Sequence, residues 1–322
     1  MLICILIVFY NIYQLYKYFN SVKVINPHNK YILITGCDSG FGLSLAVELD
    51  RQGFNVLASV YDARNKPINI NQLSSNATVF KLDITNQQDI EESFHLVKNK
   101  TNHLYGLVNN AGISDGGLID WVSLQSVRQV FEVNFFGHVA MTKTFLPLLL
   151  AEKNSRVINV SSAAGILAAA GASAYSSSKY AIEAFSDCLR REFAAWNLHV
   201  AIVEPGFMRT PIIEGIDKKM HSLWANDMDD ETRARWGESY FLDWLTRGTD
   251  LATQTADDPM KVVRALCHAL TNHRPSIRYR PGWQSSLFCF PLSMVPARLV
   301  DSLIRWGQRN MVLPTGVSNQ SN

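Results

Sequence analysis

A short apolar run, Tyr31-Ile32-Leu33-Ile34-Thr35, passes into Gly36-Cys37-Asp38-Ser39-Gly40-Phe41-Gly42 and then into the helical pattern Leu43-Ser44-Leu45-Ala46-Val47-Glu48-Leu49. That order reads as strand, glycine turn, helix. Three glycines let backbone pass close to a pyrophosphate, and a helix N-terminus favours its charge. The spacing is Gly-x-x-x-Gly-x-Gly rather than the Gly-x-Gly-x-x-Gly fingerprint. Taken alone, the same turn without a ligand remains the competing reading.

The rest of the chain repeats the alternation. Further strands are expected at Asn55–Val60, Thr78–Leu82, Gly106–Asn109, Arg156–Ser161 and His199–Glu204, with a last one near Ser276–Tyr279. Helical patterns lie between them, and alternating β and α units imply a parallel sheet covered by helices on both faces. The fold expected is therefore α/β: one Rossmann-type, doubly wound parallel sheet of about seven strands. Ile182, Phe185, Leu189 and Phe193 mark the core face of one long helix. Residues 207–258 break the alternation and carry Trp224, Trp236 and Trp244.

Within that long helix Tyr175 and Lys179 are four residues apart, and Ser162 lies thirteen before the tyrosine. Positions i and i+4 share a helix face. An ammonium beside a phenol stabilises the phenolate and lowers a pKa of about 10. Such a phenol serves as general base toward an alcohol and general acid toward a ketone. Tyr-x-x-x-Lys occurs by chance in helices, so its weight depends on the other motifs.

Those motifs are Thr35-Gly36 to Gly42, Asn109-Asn110-Ala111-Gly112, Asn134, Ser162, Tyr175, Lys179 and Pro205-Gly206. In this order they resemble the motif set of the short-chain dehydrogenase/reductase superfamily. Lys30 to Gly42, Glu183 to Glu192 and Arg278-Tyr279-Arg280-Pro281-Gly282-Trp283 look like its membrane-bound retinol dehydrogenase and 17β-hydroxysteroid dehydrogenase branch, which is related to the D-3-hydroxybutyrate dehydrogenases. The resemblance runs to about residue 305; no signal is read from residues 307–322.

The resemblance implies an NAD(P)-dependent oxidoreductase interconverting a hydrophobic alcohol and its carbonyl, a retinoid or a hydroxysteroid. Tyr175 would move the proton, Lys179 would tune it and bond the nicotinamide ribose, and Ser162 would hold the substrate oxygen, with Ser161 as its rival. Asn134 would anchor a water beside the lysine. Cofactor contacts are expected from Gly36, Ser39, Gly40, Phe41, Gly42, Asp62, Asp83, Asn110, Ala111, Gly112, Tyr175, Lys179, Pro205, Gly206 and Thr210. Asp83 would meet adenine and Thr210 the carboxamide, although a plain turn hydroxyl explains Thr210 nearly as well. NAD is favoured, but Val60 stands where an acid usually ends the second strand, Asp62 comes two residues late, and Arg64 argues for the 2′-phosphate of NADP. Residues 207–258 would form a substrate lid. A D-3-hydroxybutyrate dehydrogenase and a non-catalytic dinucleotide-binding membrane protein are the other readings.

A net charge of +2 over 322 residues and 47% hydrophobic content describe a globular core and give no reason to expect nucleic acid. Five scattered cysteines form no metal-ligand spacing, so no metal is expected. Leu2 to Phe19 is almost free of charge, near the lower length limit of a spanning helix. With no basic residue before it and no small-residue cleavage site, a retained anchor is expected over residues 1–22, then the catalytic domain over 29–280 and an apolar segment and tail over 281–322. Lys17, Lys23 and Lys30 follow the run, which by the positive-inside rule puts the domain in the cytosol. The expected membrane is the endoplasmic reticulum, with a mitochondrial membrane as the alternative, and a homodimer is possible. Trp283 to Trp306 is a second apolar stretch too broken by proline to span; resting on a membrane, closing a pocket and plain core packing all fit it.

Overall fold

The computed structural model describes Tyr10 and residues 24–61, 72–211 and 215–320. The expected anchor, apart from Tyr10, lies outside the described residues, as do Asp62 and Arg64.

Seven parallel strands form one sheet in the order β3-β2-β1-β4-β5-β6-β7. They are β1 (Tyr31–Ile34), β2 (Asn55–Val60), β3 (Thr78–Lys81), β4 (Gly106–Asn109), β5 (Arg156–Val160), β6 (His199–Val203) and β7 (Arg278–Tyr279). Each agrees with its expectation to within a residue or two. Helices α1 (Gly40–Arg51), α2 (Gln87–Lys100), α3 (Leu124–Phe131), α4 (His138–Leu150), α5 (Ser173–Glu192) and α9 (Met260–Thr271) cover the two faces.

The sheet is buried on both sides, so its strands read as continuous apolar runs. Successive residues point to opposite faces. Ile32, Ile34, Val56 and Ala58 meet Leu45 and Leu49 of α1 and Val262 and Leu266 of α9. Leu33, Leu57, Leu107 and Val157 meet Val97 of α2 and Met141, Phe145 and Leu149 of α4. Each such fully buried side chain contributes about 1.5–3 kcal/mol. Among the described residues, one continuous helix, Leu124–Leu150, is long and apolar enough to cross a membrane. Its buried face packs on α2, β4 and β5, which makes it a core helix of the sheet.

Strand order reverses between β1 and β4, which places a crevice at the carboxyl ends of these strands. Above this end stand α6 (Ile216–Ser222), α7 (Asp230–Trp236) and α8 (Glu238–Gln254). They close around Trp121 from the loop after β4: Trp224, Trp236, Tyr240, Phe241 and Trp244 all present ring contacts 5.0–6.4 Å from it. Beyond β7 follow α10 (Phe290–Ser293), α11 (Ala297–Gln308) and α12 (Thr315–Gln320). The tail, silent in the sequence, is fastened to α8: Arg247 donates to the Asn310 carbonyl at 2.8 Å, and Asp243 accepts the Val312 N–H at 2.9 Å.

Candidate active site

The glycine turn is braced from β4. Gly36 has φ +71°, where a side chain is strained, and a Cβ there would lie 2.8 Å from the Ala111 backbone. The Asn110 amide donates to the carbonyls of Thr35 (2.8 Å) and Gly36 (3.1 Å). Thr35 Oγ1 accepts the N–H groups of Asn110 and Ala111, each at 3.0 Å. Ser39 caps α1 without a side-chain hydrogen bond, and the space beside Gly40 is open for at least 4 Å. The α1 N-terminus thus offers backbone N–H groups to an open volume, which suits a pyrophosphate. Gly42 and the half-buried Phe41 pack down on the turn and the core.

The Tyr175–Lys179 pair stands on α5, which starts just before Tyr175. The Tyr175 hydroxyl stands beside Ser162, whose hydroxyl pulls its pKa down. Ser162 also accepts the Ala164 N–H at 3.1 Å, capping a short turn after β5. Its rival is turned away: Ser161 is buried, and its hydroxyl donates to the Lys179 carbonyl at 3.4 Å. Lys179 is 4% exposed; its Nζ donates to the Val160 carbonyl at 2.9 Å and lies 5.6 Å from the centre of the Tyr175 ring.

Here the structure corrects one expectation. Burial raises the Tyr175 pKa, with the Ser162 hydroxyl pulling it down, so the phenol is not acidified in this arrangement. Burial lowers Lys179 to about 8 against the attraction of Glu183. The two share a helix face as the spacing required, but desolvation outweighs the ammonium, which is spent on a carbonyl.

Asn134 sits in a π-helical turn, Glu132–Gly137, inserted between α3 and α4. Such insertions re-aim side chains within a helix. Fully buried, Asn134 exchanges hydrogen bonds with the N–H and carbonyl of Ile113, both at 2.9 Å, and donates to Ser178 at 3.1 Å. It ties the loop after β4 to the helix bearing Tyr175. A Cβ on Gly112 would lie 3.3 Å from Asn134 Oδ1 and 3.7 Å from Lys179 Nζ, so Gly112 lets that loop close over both. Ser162, Tyr175, Lys179, Asn134 and Gly112 are therefore brought together.

Pro205 and Gly206 follow β6; the Pro205 carbonyl accepts the Ala163 N–H at 2.8 Å. Thr210 is buried and donates to the Met208 carbonyl at 3.3 Å, a bond within its own turn. Asp83 accepts the N–H and hydroxyl of Thr85 at 2.9 and 2.7 Å, just past β3.

Thr35 opens the glycine motif in the sequence, but its bracing role comes only from the structure. Two groups at the site escape sequence reasoning. Asp38 reaches across to β2, where its carboxylate accepts the Tyr61 N–H at 2.9 and 3.0 Å. His138 is buried under the loop, its Nε2 2.7 Å from the Ala111 carbonyl. Burial and the nearby Lys179 push it down to about 3, so it is neutral and donates there. Nothing in the sequence around His138 marks it.

Two open cavities lie outside this constellation. One of about 460 Å³ is lined by Arg190, Arg191, His199 and Ser276, at the opposite end of β6; the other, of about 500 Å³, lies beside Ser173, Ser177 and Tyr180.

Comparison with known proteins agrees with this geometry. Residues 30–221 match the short chain dehydrogenase family. Human retinol dehydrogenase 5 is 40% identical over 286 residues, covering 86% of this chain and 88% of that protein. Retinol dehydrogenase 16 of Rattus norvegicus is 38% identical over 301 residues, covering 92% and 94%. Among solved structures, a short-chain dehydrogenase from Streptomyces avermitilis has a TM-score of 0.68 at 24% identity, covering 88% of this chain and 98% of its own. A short chain dehydrogenase/reductase from Burkholderia phymatum, solved in complex with NAD, has a TM-score of 0.69 at 19% identity, covering 90% and 99%. The chain belongs to the short-chain dehydrogenase/reductase family, as an NAD(P)-dependent enzyme acting on alcohols and their carbonyls.

Proposed function

We propose that this enzyme uses NAD to interconvert a hydrophobic alcohol and its carbonyl, a retinoid or a hydroxysteroid, with Tyr175 as the proton-transfer group. The observation that carries the reading is that Tyr175 stands beside Ser162 at the carboxyl end of the sheet, with buried Lys179 one helical turn away and its Nζ 5.6 Å from the tyrosine ring centre.

Ser162 orients the substrate oxygen toward the Tyr175 hydroxyl. In oxidation Tyr175 takes the hydroxyl proton as the carbon–oxygen double bond forms and the carbinol carbon gives up its hydride; in reduction it returns that proton. Bound NAD supplies the hydride acceptor. Lys179 keeps positive charge close to the developing phenolate, and Asn134 holds the Ile113 segment against the helix carrying both. The pyrophosphate would rest on the α1 N-terminus, with Gly36, Ser39, Gly40, Phe41 and Gly42 beneath it and Asn110, Ala111 and Gly112 closing the far side. Asp83 would meet adenine, and Pro205, Gly206 and Thr210 the nicotinamide end.

Asp38 supports NAD over NADP. It places a carboxylate beside the end of β2, where a ribose 2′-hydroxyl is welcomed and a 2′-phosphate repelled. Support for an apolar substrate comes from the lid. Its inner face is aromatic around Trp121, and two of its cations are engaged by carboxylates, Lys219 by Asp115 at 2.8 Å and Arg235 by Asp120 at 2.6 Å.

An N-terminal anchor would hold the enzyme on the endoplasmic reticulum with its catalytic domain in the cytosol. The C-terminal segment supports contact with a membrane. Leu287 is 70% exposed, Met294 73% and Trp306 66%, which argues against plain core packing for this segment.

The test is NADH formation by membranes containing the full chain, given NAD with retinol, a 3α- or 17β-hydroxysteroid, or D-3-hydroxybutyrate. Turnover of retinol or a steroid that Tyr175→Phe abolishes is the expected result. Turnover of hydroxybutyrate alone, or full activity of Tyr175→Phe, would overturn the reading.

A further inference from the structure

The run Arg278 to Trp283 carries part of the family resemblance, and the site just described gives it no task. Its arginines enter a half-buried ionic cluster behind that site, built around the fully buried Glu204. The Glu204 side chain, at the end of β6, is fully buried between Arg278 Nε at 3.0 Å and Arg280 Nε at 2.6 Å. Arg278 also reaches Glu183 at 3.2 Å and Asp187 at 3.1 Å on α5, and Asp187 pairs with Arg190 at 2.9 Å. Arg191 approaches Asp187 at 3.9 Å from the outer side.

Each member is one step from a reactive group. Glu183 lies one turn past Lys179, and the nearby Ser161 hydroxyl, next to Ser162, lowers its pKa against burial. Glu204 precedes Pro205, whose carbonyl holds the Ala163 N–H directly after Ser162. The Glu204 N–H donates to the Tyr279 carbonyl at 2.8 Å, and its own carbonyl accepts the Ser285 hydroxyl at 2.6 Å. Gly206 donates to the Pro281 carbonyl at 3.1 Å. Arg280 is itself fixed, its guanidinium 3.7 Å from the Phe290 ring centre.

Burying ions is a poor route to stability, since well-packed apolar residues commonly do as well or better; fixing one arrangement is the better-attested use. Arginine's planar fork suits it to that, because one guanidinium can hold two carboxylates at fixed angles.

We infer that Arg278 and Arg280 are positioning residues for the reaction: through Glu183 and Glu204 they set the helix bearing Tyr175 and Lys179 against the Ser162 turn and the Pro205–Gly206 turn. The inference rests on the proposed roles of Tyr175 and Ser162. It makes the C-terminal strand part of the catalytic frame, although none of its residues touches the substrate.

The experiment compares the full chain with Glu204→Gln, Arg280→Met and the milder Arg280→Lys, with Tyr175→Phe as reference. Turnover is measured with retinol or a hydroxysteroid, whichever the wild type oxidises, and with its carbinol-deuterated form. Misplaced partners slow the hydride step itself. Arg280→Met and Glu204→Gln should lose tenfold or more in kcat, raise the deuterium isotope effect on kcat, and change KM for NAD less than threefold. Arg280→Lys, which keeps the charge at Glu204, should recover part of the loss; if the Met variant does not fold, a three- to tenfold loss with a raised isotope effect in Arg280→Lys decides in favour. Wild-type kcat and isotope effect in Arg280→Lys and Glu204→Gln, beside an inactive Tyr175→Phe, would overturn the inference alone. An active Tyr175→Phe would instead remove the reading of the site on which it rests.

Discussion

The Asp38 carboxylate, on the glycine turn, accepts the backbone N–H of Tyr61 at 2.9 and 3.0 Å, so an acid from the first βα unit stands at the end of β2. The position where the strand itself would supply that acid holds Val60. Replacing Asp38 by serine removes the charge that repels a 2′-phosphate and the acceptor for a 2′-hydroxyl. The ratio of NAD to NADP dissociation constants should move toward NADP by tenfold or more, equivalent to about 1.4 kcal/mol. Fluorescence titration of both cofactors reads this directly, and an unchanged ratio would return the choice to residues beyond Tyr61.

Asn110 makes a separate, testable brace. Its amide spans the carbonyls of Thr35 and Gly36, which lose their side-chain partner in Asn110→Ala. Leaving part-buried carbonyls unmet costs about 1–3 kcal/mol. The expected outcome is a lower melting temperature and a several-fold rise in KM for NAD, with kcat at saturating NAD changed less. Calorimetry and cofactor-dependent kinetics on one preparation separate the two effects.

Much of this architecture is legible in the amino-acid sequence. Buried parallel strands leave continuous apolar runs, which is why Asn55–Val60 and Gly106–Asn109 can be placed to the residue. Tyr175, Lys179, Ser162 and Asn134 follow from motif order, and the fold brings them together. What stays hidden depends on contacts across the sheet. Asp38 acts on a residue twenty-three positions away, and His138 meets Ala111 from the next helix, so local pattern carries neither. Helical spacing points the Tyr175 shift the wrong way, because it gives proximity and says nothing of burial. The tail beyond residue 307 has no period of its own, since its order comes from Asp243 and Arg247 on the lid.

The lid is seated on a glycine. Gly171, two residues before α5, has φ +81°, and a Cβ there would lie 2.2 Å from the Trp244 ring. Its carbonyl also accepts the Gly117 N–H at 3.0 Å, which joins the two loops beneath the lid. Gly171→Ala is strained in its backbone and displaces Trp244 from Trp121. KM for the hydrophobic alcohol should rise at least tenfold while the dissociation constant for NAD stays within about twofold. Equal losses in both would show that the substitution disturbs α5 rather than the lid.

The last prediction concerns Glu204 and pH. Burial and the neighbouring Glu183 carboxylate push it up to about 7 against the pull of Arg280 and Arg278, whereas in the unfolded chain it titrates near the ordinary 4.5. Lys179, four residues before Glu183, is the next charge along that helix. Because the folded pKa is the higher one, the folded state binds the proton more tightly. The stabilisation is fully present below pH 4.5 and is lost as pH rises through about 7. At most this amounts to something on the order of 3 kcal/mol. Glu204→Gln is neutral throughout, so it stands in for the protonated side chain and removes that slope. Thermal midpoints at pH 5 and pH 8 should show the wild type falling relative to the variant at the higher pH. A constant gap across the two would mean that both arginines keep Glu204 ionised over the whole range.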